Sequence, residues 1–290
     1  MNDPRIGRPG PAEPTPPPEW TWDPSLYAGS AAFYTEGRVP YPHVLVDRLA
    51  AALDLDGTGR LLDIGCGPGS LTLLLAPLFA QAVGVDADAD MLAEAAVQAA
   101  RSGINNVSWR RLRAEELPAD LPPPTVISFA QSFHWMDRPR VANIARRMLG
   151  RSGVLVHVHA TTHGGIDTDE RLPHPQPPRA AITELVQRYL GTTRRAGQHL
   201  LPHGTAHGED RIYRAAGFTG PQRIELPART VHRTVEQVRA SVYSQSSSAP
   251  HLFGDRLGPF DVQLRALLDN AAPTGRFSER LGETAIDIWR

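Results

Sequence analysis

Hydrophobic and polar positions alternate in two rhythms between residues 41 and 159. Over 41–53, Val44, Leu45, Leu49, Ala52 and Leu53 recur near a 3.6-residue spacing, which predicts an amphipathic helix that Gly57 and Gly59 end. Residues 60–64 (RLLDI) form a short apolar run that closes in glycines, the pattern of a strand buried on both faces. A helix is predicted over 70–78 and a second strand over 82–86. An Ala-rich helix follows over 90–101, capped by Asp88 or Asp90 and stopped by Gly103. Further strands are expected at 107–112, 125–129 and 153–159, with a helix over 139–149 before the last. Strands and helices alternating at this spacing predict an α/β fold, a doubly wound Rossmann-like sheet that is mostly parallel.

The rhythm fails after His159. Residues 160–208 are rich in Pro, Gly and His and carry one predicted helix, 180–190, as a lid inserted over the carboxyl ends of the strands would. Helix and strand return at 210–216 and 222–226, a mainly helical segment spans 234–268, and a last strand is expected at 284–289. At the other end, seven of the first 18 residues are proline, so 1–19 reads as a disordered tail and 20–290 as one domain with lid segments at 160–208 and 234–268.

Composition narrows the chemistry. All 30 basic residues are arginine, which excludes lysine Schiff bases, pyridoxal phosphate attachment and the Gly-Lys-Ser phosphate loop. The one cysteine, Cys66, excludes an intrachain disulfide, a cysteine zinc site and an iron–sulfur cluster. A net charge of −1 supplies no field for capturing nucleic acid or anionic membrane. No apolar run approaches the ~20 residues of a membrane span, and the amino terminus lacks the apolar core of a signal peptide, so a cytoplasmic protein is expected.

The most informative stretch is Leu61-Leu-Asp-Ile-Gly-Cys-Gly-Pro-Gly-Ser70. A strand runs into closely spaced glycines and a helix opens behind them. Glycines serve where backbone turns tightly and approaches a ligand without a Cβ in the way. Asp86 ends the next strand, about 20 residues on, where a carboxylate accepts hydrogen bonds from ribose hydroxyls. The dinucleotide fingerprint is G-x-G-x-x-G, whereas this loop reads G-x-G-x-G, which disfavours a nicotinamide oxidoreductase.

That loop resembles motif I of class I S-adenosylmethionine-dependent methyltransferases. The resemblance runs on in order: Val83-Gly-Val-Asp86 with Asp90-Met91-Leu92, the segment RAEELP at 113–118, and ISFAQSFHW at 127–135. The last of these, with YTEGRVPYP at 34–42, is similar to a subgroup that includes trans-aconitate and quinone-biosynthesis methyltransferases. One departure is that Pro123-Pro124 stand where the family has an aromatic–Asp pair. The resemblance implies S-adenosyl-L-methionine as cofactor and an antiparallel last strand. It implies that Gly65, Cys66, Gly67 and Gly69 shape the methionine side, with Asp63 bracing the loop. Asp86 and Ala87 would then hold the ribose, and Met91, Ala114 and Glu115 the adenine. Ala130 and Gln131 would lie beside the sulfonium, with Tyr34 and Arg38 closing over the methionine carboxylate.

Methyl transfer from a sulfonium is an in-line displacement whose donor is already activated, so the enzyme's first task is alignment. A general base is needed only for a protonated hydroxyl or amine acceptor. His134, after the fourth strand, is the candidate base, and Trp135, Tyr243 and His251 are candidate acceptor contacts. His157, His159 and His163 lack a nearby acidic residue to complete a metal set, so no metal is expected. The expected activity is methyl transfer to a small-molecule acceptor at oxygen, without nucleic acid or membrane partners. The alternatives are an RNA or DNA methyltransferase and a non-catalytic S-adenosylmethionine-binding protein. The sequence carries no sign of the oligomeric state.

Overall fold

Leu61, Leu62, Asp63 and Ile64 of β1 (Arg60–Ile64) are all buried, because this strand lies in the middle of a sheet covered on both faces. The computed structural model describes residues 23–193, 195–196, 199–200 and 208–290. The predicted tail, 1–19, and residues 194, 197–198 and 201–207 of the predicted lid fall outside these.

β1 pairs in parallel with β2 (Gln81–Asp86) on one side and β4 (Val126–Ala130) on the other. β3 (Val107–Arg111) adds to β2, and β5 (Val154–His159) to β4, again in parallel. Two more strands complete the sheet, β8 (Gln222–Leu226) and β11 (Thr284–Trp289), in the order β3-β2-β1-β4-β5-β11-β8. β11 is antiparallel to both β5 and β8. The expected α/β Rossmann-like sheet with an antiparallel last strand is therefore the fold observed.

The helices predicted before and between these strands form with their ends moved by one to three residues. They are α2 (Val44–Leu53), α3 (Ser70–Leu75), α4 (Ala89–Ser102) and α5 (Arg138–Met148). Asp88 caps α4 by accepting from the amides of Asp90 and Met91, and Gly103 ends the helix in the left-handed region. One sheet face packs on α5, with Ile64, Phe129, Val141, Ile144 and Trp289 in a common core. The other packs on α2 and α3 through Leu45, Leu49, Leu71, Leu75 and Val156. Burying both faces in this way is what commits the strands to near-continuous apolar runs.

A third core forms the cap. Its helices are α6 (Arg179–Leu190), α8 (Val235–Tyr243) and α9 (Leu257–Ala271), whose Leu185, Val238, Phe260 and Leu264 pack together. Helix α7 (Glu209–Ala215) instead packs on α5. Two elements depart from the sequence expectations. Helix α1 (Ala31–Gly37) packs on α8, with Gly37 so close that a Cβ would lie 2.4 Å from the Ala240 backbone. An antiparallel pair of strands, β9 (Arg229–Thr234) and β10 (Arg276–Leu281), flanks the helical segment expected over 234–268, in stretches to which the sequence pattern assigned no element. Its strands carry Arg233 and Glu279 inward, and a local pattern reads such residues as surface. A minimal pairing, β6 (Arg195–Ala196) with β7 (His199–Leu200), lies in the lid segment. Among the described residues no helix is long and apolar enough to cross a membrane.

Candidate functional site

The loop after β1 is built by three glycines in the left-handed region, with φ of 69° at Gly65, 53° at Gly67 and 80° at Gly69. Each is needed for a different reason. A Cβ on Gly65 would sit 2.4 Å from Cβ of Ser132, and one on Gly69 would sit 2.7 Å from the Trp109 ring. Around Gly67 there is open space within 4 Å, so only its backbone conformation demands glycine, and that open side faces a cavity. The amides of Gly65 and Cys66 donate to Val85 O at 2.8 and 3.0 Å, which pins the loop to β2.

That cavity has a volume of about 410 Å³ and lies at the carboxyl ends of β1, β2 and β4. Its size is that of a small-molecule site. Asp86 closes one wall: its carboxylate accepts from the amide of Gly67 at 2.8 Å and from that of Asp88 at 2.9 Å. Burial, with the nearby carboxylates of Asp88 and Asp63, pushes its pKa up to about 6 against the pull of those two amides. Asp63 lies deeper. It accepts from Thr72 and Ser128 hydroxyls at 2.6 and 2.7 Å, and burial raises its pKa, so it ties β1 to α3 and β4 beneath the loop. The Cys66 thiol is pushed well above its ordinary range by burial and the nearby carboxylates, and is a packing group.

Ala87, Met91, Ala114 and Glu115 line the same wall. Glu115 is buried and accepts from the Asp137 amide at 2.9 Å, linking the 3-10 turn Ala114–Glu116 to the start of α5. Across the cavity, Ala130 ends β4 and Gln131 takes a φ of 59°, a strained conformation for a non-glycine residue. Ser132 then donates to Ile64 O at 2.7 Å. The 3-10 turn Phe133–Trp135 repeats every three residues, so Ser132 and Trp135 share the cavity side, and Phe133 enters the core. His134 falls on neither: it does not line the cavity, and its ring packs at 4.7 Å on Trp135 and acts electrostatically on His157.

The open side is covered by the segment before β1. Tyr34 and Arg38 line the cavity, with the guanidinium 4.6 Å from the Tyr34 ring centre. Arg38 donates to Ser244 Oγ and O at 2.9 and 2.6 Å and to Thr162 Oγ1 at 3.4 Å. Tyr27, Tyr41 and Thr162 also line the cavity and were missed from the sequence; enrichment of aromatic residues over 27–41 was the signal available. Burial raises the hydroxyl pKa of both Tyr27 and Tyr41, keeping them neutral.

Three further expected residues stand elsewhere. Gly69 shapes the entry to α3 without lining the cavity. Tyr243 is buried in the cap core, where its hydroxyl donates to Asp261 at 2.8 Å, because α8 turns that face toward Phe253 and Phe260. His251, in the 3-10 segment Pro250–Arg256, donates to Ala28 O at 3.0 Å and holds the amino-terminal segment to the cap. His157 and His159 stack at 4.2 Å on the α5 side of the sheet. His157 bonds the Tyr213 hydroxyl at 2.9 Å, and burial drives its pKa down to about 3. His159 bonds Asp287 at 3.0 Å, and Arg223 holds that carboxylate through both oxygens. Among the described residues no group of three or more His, Cys, Asp or Glu is placed to hold a metal.

The cavity suits a nucleoside with a charged tail. Asp86 is a carboxylate held by two backbone amides, fit to accept from hydroxyls. Gly67 leaves open space, Met91 and Ala114 are apolar lining residues, and Arg38 puts a guanidinium on the same cavity.

A family model described as a methyltransferase domain matches residues 61–153, the segment from β1 to the start of β5. The chain is 39% identical over 79 residues to trans-aconitate 2-methyltransferase of Azoarcus sp. strain BH72, covering 25% of this chain and 29% of that protein. It is 41% identical over 59 residues to the 23S rRNA (uracil(1939)-C(5))-methyltransferase RlmD of Xanthomonas oryzae pv. oryzae, covering 20% and 13%. The chain thus spans less than a third of the length of either relative. A candidate type II methyltransferase of Anaeromyxobacter dehalogenans shares the fold, with a TM-score of 0.50 at 21% identity over 87% of this chain and 96% of that one. The glycine loop and Asp86 both lie within the segment that the family model matches: over residues 61–153 the chain carries a class I S-adenosylmethionine-dependent methyltransferase domain, whose cofactor is S-adenosyl-L-methionine.

Proposed function

We propose that the protein transfers a methyl group from S-adenosyl-L-methionine to a small-molecule acceptor, at oxygen; its motifs resemble those of the subgroup that includes trans-aconitate and quinone-biosynthesis methyltransferases. The observation that carries this reading is the covering of the cleft. Tyr27, Tyr34, Arg38 and Tyr41, from the segment before β1, line the cavity, and a cleft lined by the chain's own aromatic residues in this way supports a small acceptor over a polynucleotide. The overall charge of −1 supports the same choice over RNA or DNA.

In this reading Asp86 and Ala87 hold the ribose, and Met91, Ala114 and Glu115 bracket the adenine. Gly65, Cys66 and Gly67 line the methionine side, with Gly69 and Asp63 shaping the loop from behind. Ala130 and Gln131 flank the reacting end, and Tyr34 and Arg38 grip the carboxylate. The cofactor supplies a methyl group on a positively charged sulfur. The protein's work is to exclude water and hold an acceptor oxygen in line, with Trp135 as the acceptor wall. His134 does not line the cavity and packs on Trp135, so in this reading it is not the group that takes a proton from the acceptor.

Turnover of methyl-labelled cofactor against a panel of hydroxylated, phenolic and carboxylic small molecules, with bulk RNA in parallel, tests this. Label in a small oxygen acceptor is the expected result. Label in RNA alone, or tight cofactor binding with no transfer to any acceptor, overturns it.

A further inference from the structure

The cap contains a buried charged triad outside the cleft. Glu279 on β10 is 2% exposed and Arg233 on β9 is 4% exposed. Glu279 Oε2 accepts from Arg233 Nη1 at 3.1 Å, and Oε1 accepts from Arg179 Nη2 at 2.5 Å and Nε at 3.1 Å. Burying such a triad is not a route to stability in itself, since well-packed apolar residues serve as well or better. The question is what it holds. Arg233 Nη2 donates to Gly37 O at 2.7 Å, and Gly37 is the last residue of α1, immediately before Arg38. Arg233 Nη1 also reaches His163 O at 3.3 Å, and the Gly165 amide donates to Glu279 Oε1 at 2.9 Å. Those two contacts fall immediately after Thr162, on the stretch that follows β5. Thr162 in turn accepts from the Val39 amide at 2.7 Å and from Arg38 at 3.4 Å.

One carboxylate therefore organises both backbones that present Arg38 to the cavity. We propose that Glu279 is a positioning residue: through Arg233 it fixes Gly37 and the 162–165 segment, and thereby sets the grip of Arg38 on the carboxylate of the cofactor's methionine moiety. This rests on the assignment of Arg38 given above. Arg179 braces the carboxylate from α6 and couples the cap helix to the same grip.

Calorimetry on the full chain with two probes separates positioning from mere structure. S-adenosylhomocysteine carries the amino-acid end, and adenosine lacks it. Glu279→Gln is expected to weaken S-adenosylhomocysteine about tenfold while leaving adenosine within roughly twofold, as loss of one charge-held contact would. Arg179→Gln removes only the outer brace and shows a smaller loss of the same kind; it decides the matter alone if Glu279→Gln does not fold. Arg38→Met is the reference. If it fails to separate the two probes, the Arg38 assignment falls and the inference with it. If Arg38→Met separates them but the Glu279 and Arg179 variants weaken both probes equally, or neither, the triad is structural and the positioning role is overturned.

Discussion

Asp86 at the end of β2 and Glu279 in β10 are both carboxylates drawn out of water, and their surroundings are opposite. Asp86 has two backbone amides, and burial carries its pKa up to about 6. For Glu279 burial pushes upward too, but Arg179, the Gly165 amide and Arg233 outweigh it and hold the carboxyl below its usual range. In the cleft the buried carboxylate is held by two backbone amides alone, and on the proposed reading a ligand's hydroxyls would complete it. The cap keeps one whose partners are all internal. A binding site and a brace are thus told apart by what remains unsatisfied, not by burial or charge.

The contrast breaks most visibly in stability. Glu279→Gln leaves two guanidiniums without their carboxylate and is expected to lower unfolding free energy by about 3–5 kcal/mol in urea, whereas Asp86→Asn in the ligand-free protein costs next to nothing at neutral pH. Equal losses would erase the distinction.

Affinity responds in the other direction. Asp86→Ala should weaken S-adenosylhomocysteine by about 1.5–3 kcal/mol, the worth of hydrogen bonds to a charged group, and calorimetry reads this directly. The ribose hydroxyls need the ionised form, so wild-type affinity should fall as pH drops through about 6 and stay level in Asp86→Asn. An unchanged affinity in the Ala variant removes Asp86 from the site.

The pH dependence of ligand-free stability sharpens the comparison further. Asp86, with its pKa raised from 3.8 to about 6, binds a proton in the folded state before the unfolded one, so its contribution is present at low pH and lost as pH rises through 6. His157, lowered from 6.5 to about 3, has the opposite sign: the unfolded chain takes the proton first, and stability is lost as pH falls below 6.5. Thermal unfolding of Asp86→Asn should therefore decline more steeply than wild type between pH 6.5 and 4.5. Parallel curves would show that Asp86 is not held up by burial.

The smallest effect is expected at His134. Because His134 does not line the cavity and packs on Trp135, His134→Gln should change the methyl-transfer rate by less than about tenfold and leave its pH profile intact. A loss of roughly 10²-fold or more, with the pH dependence abolished, would make it the proton acceptor for a hydroxyl substrate.

Within residues 60–159 the local pattern determined nearly everything: β1 to β5, the helices between them, the glycine loop and Asp86. Each of those signals is contained in one βαβ unit, where apolar runs, glycines and a cap specify backbone over a few residues. The side on which His134 falls was not legible, because which residues of the 3-10 turn line the cavity is set by how Phe133 seats in the core. Tyr243, a polar aromatic beside serines, looked like an acceptor contact until α8 was packed against α9. The pairing of β9 with β10 escaped for the same reason. Arg233 and Glu279 read as solvent-facing in any local window, and they point inward only because each neutralises the other across the pair of strands. Burial of an apolar residue is foretold by its own chemistry. Burial of a charge is decided by a partner that only the tertiary structure brings within reach.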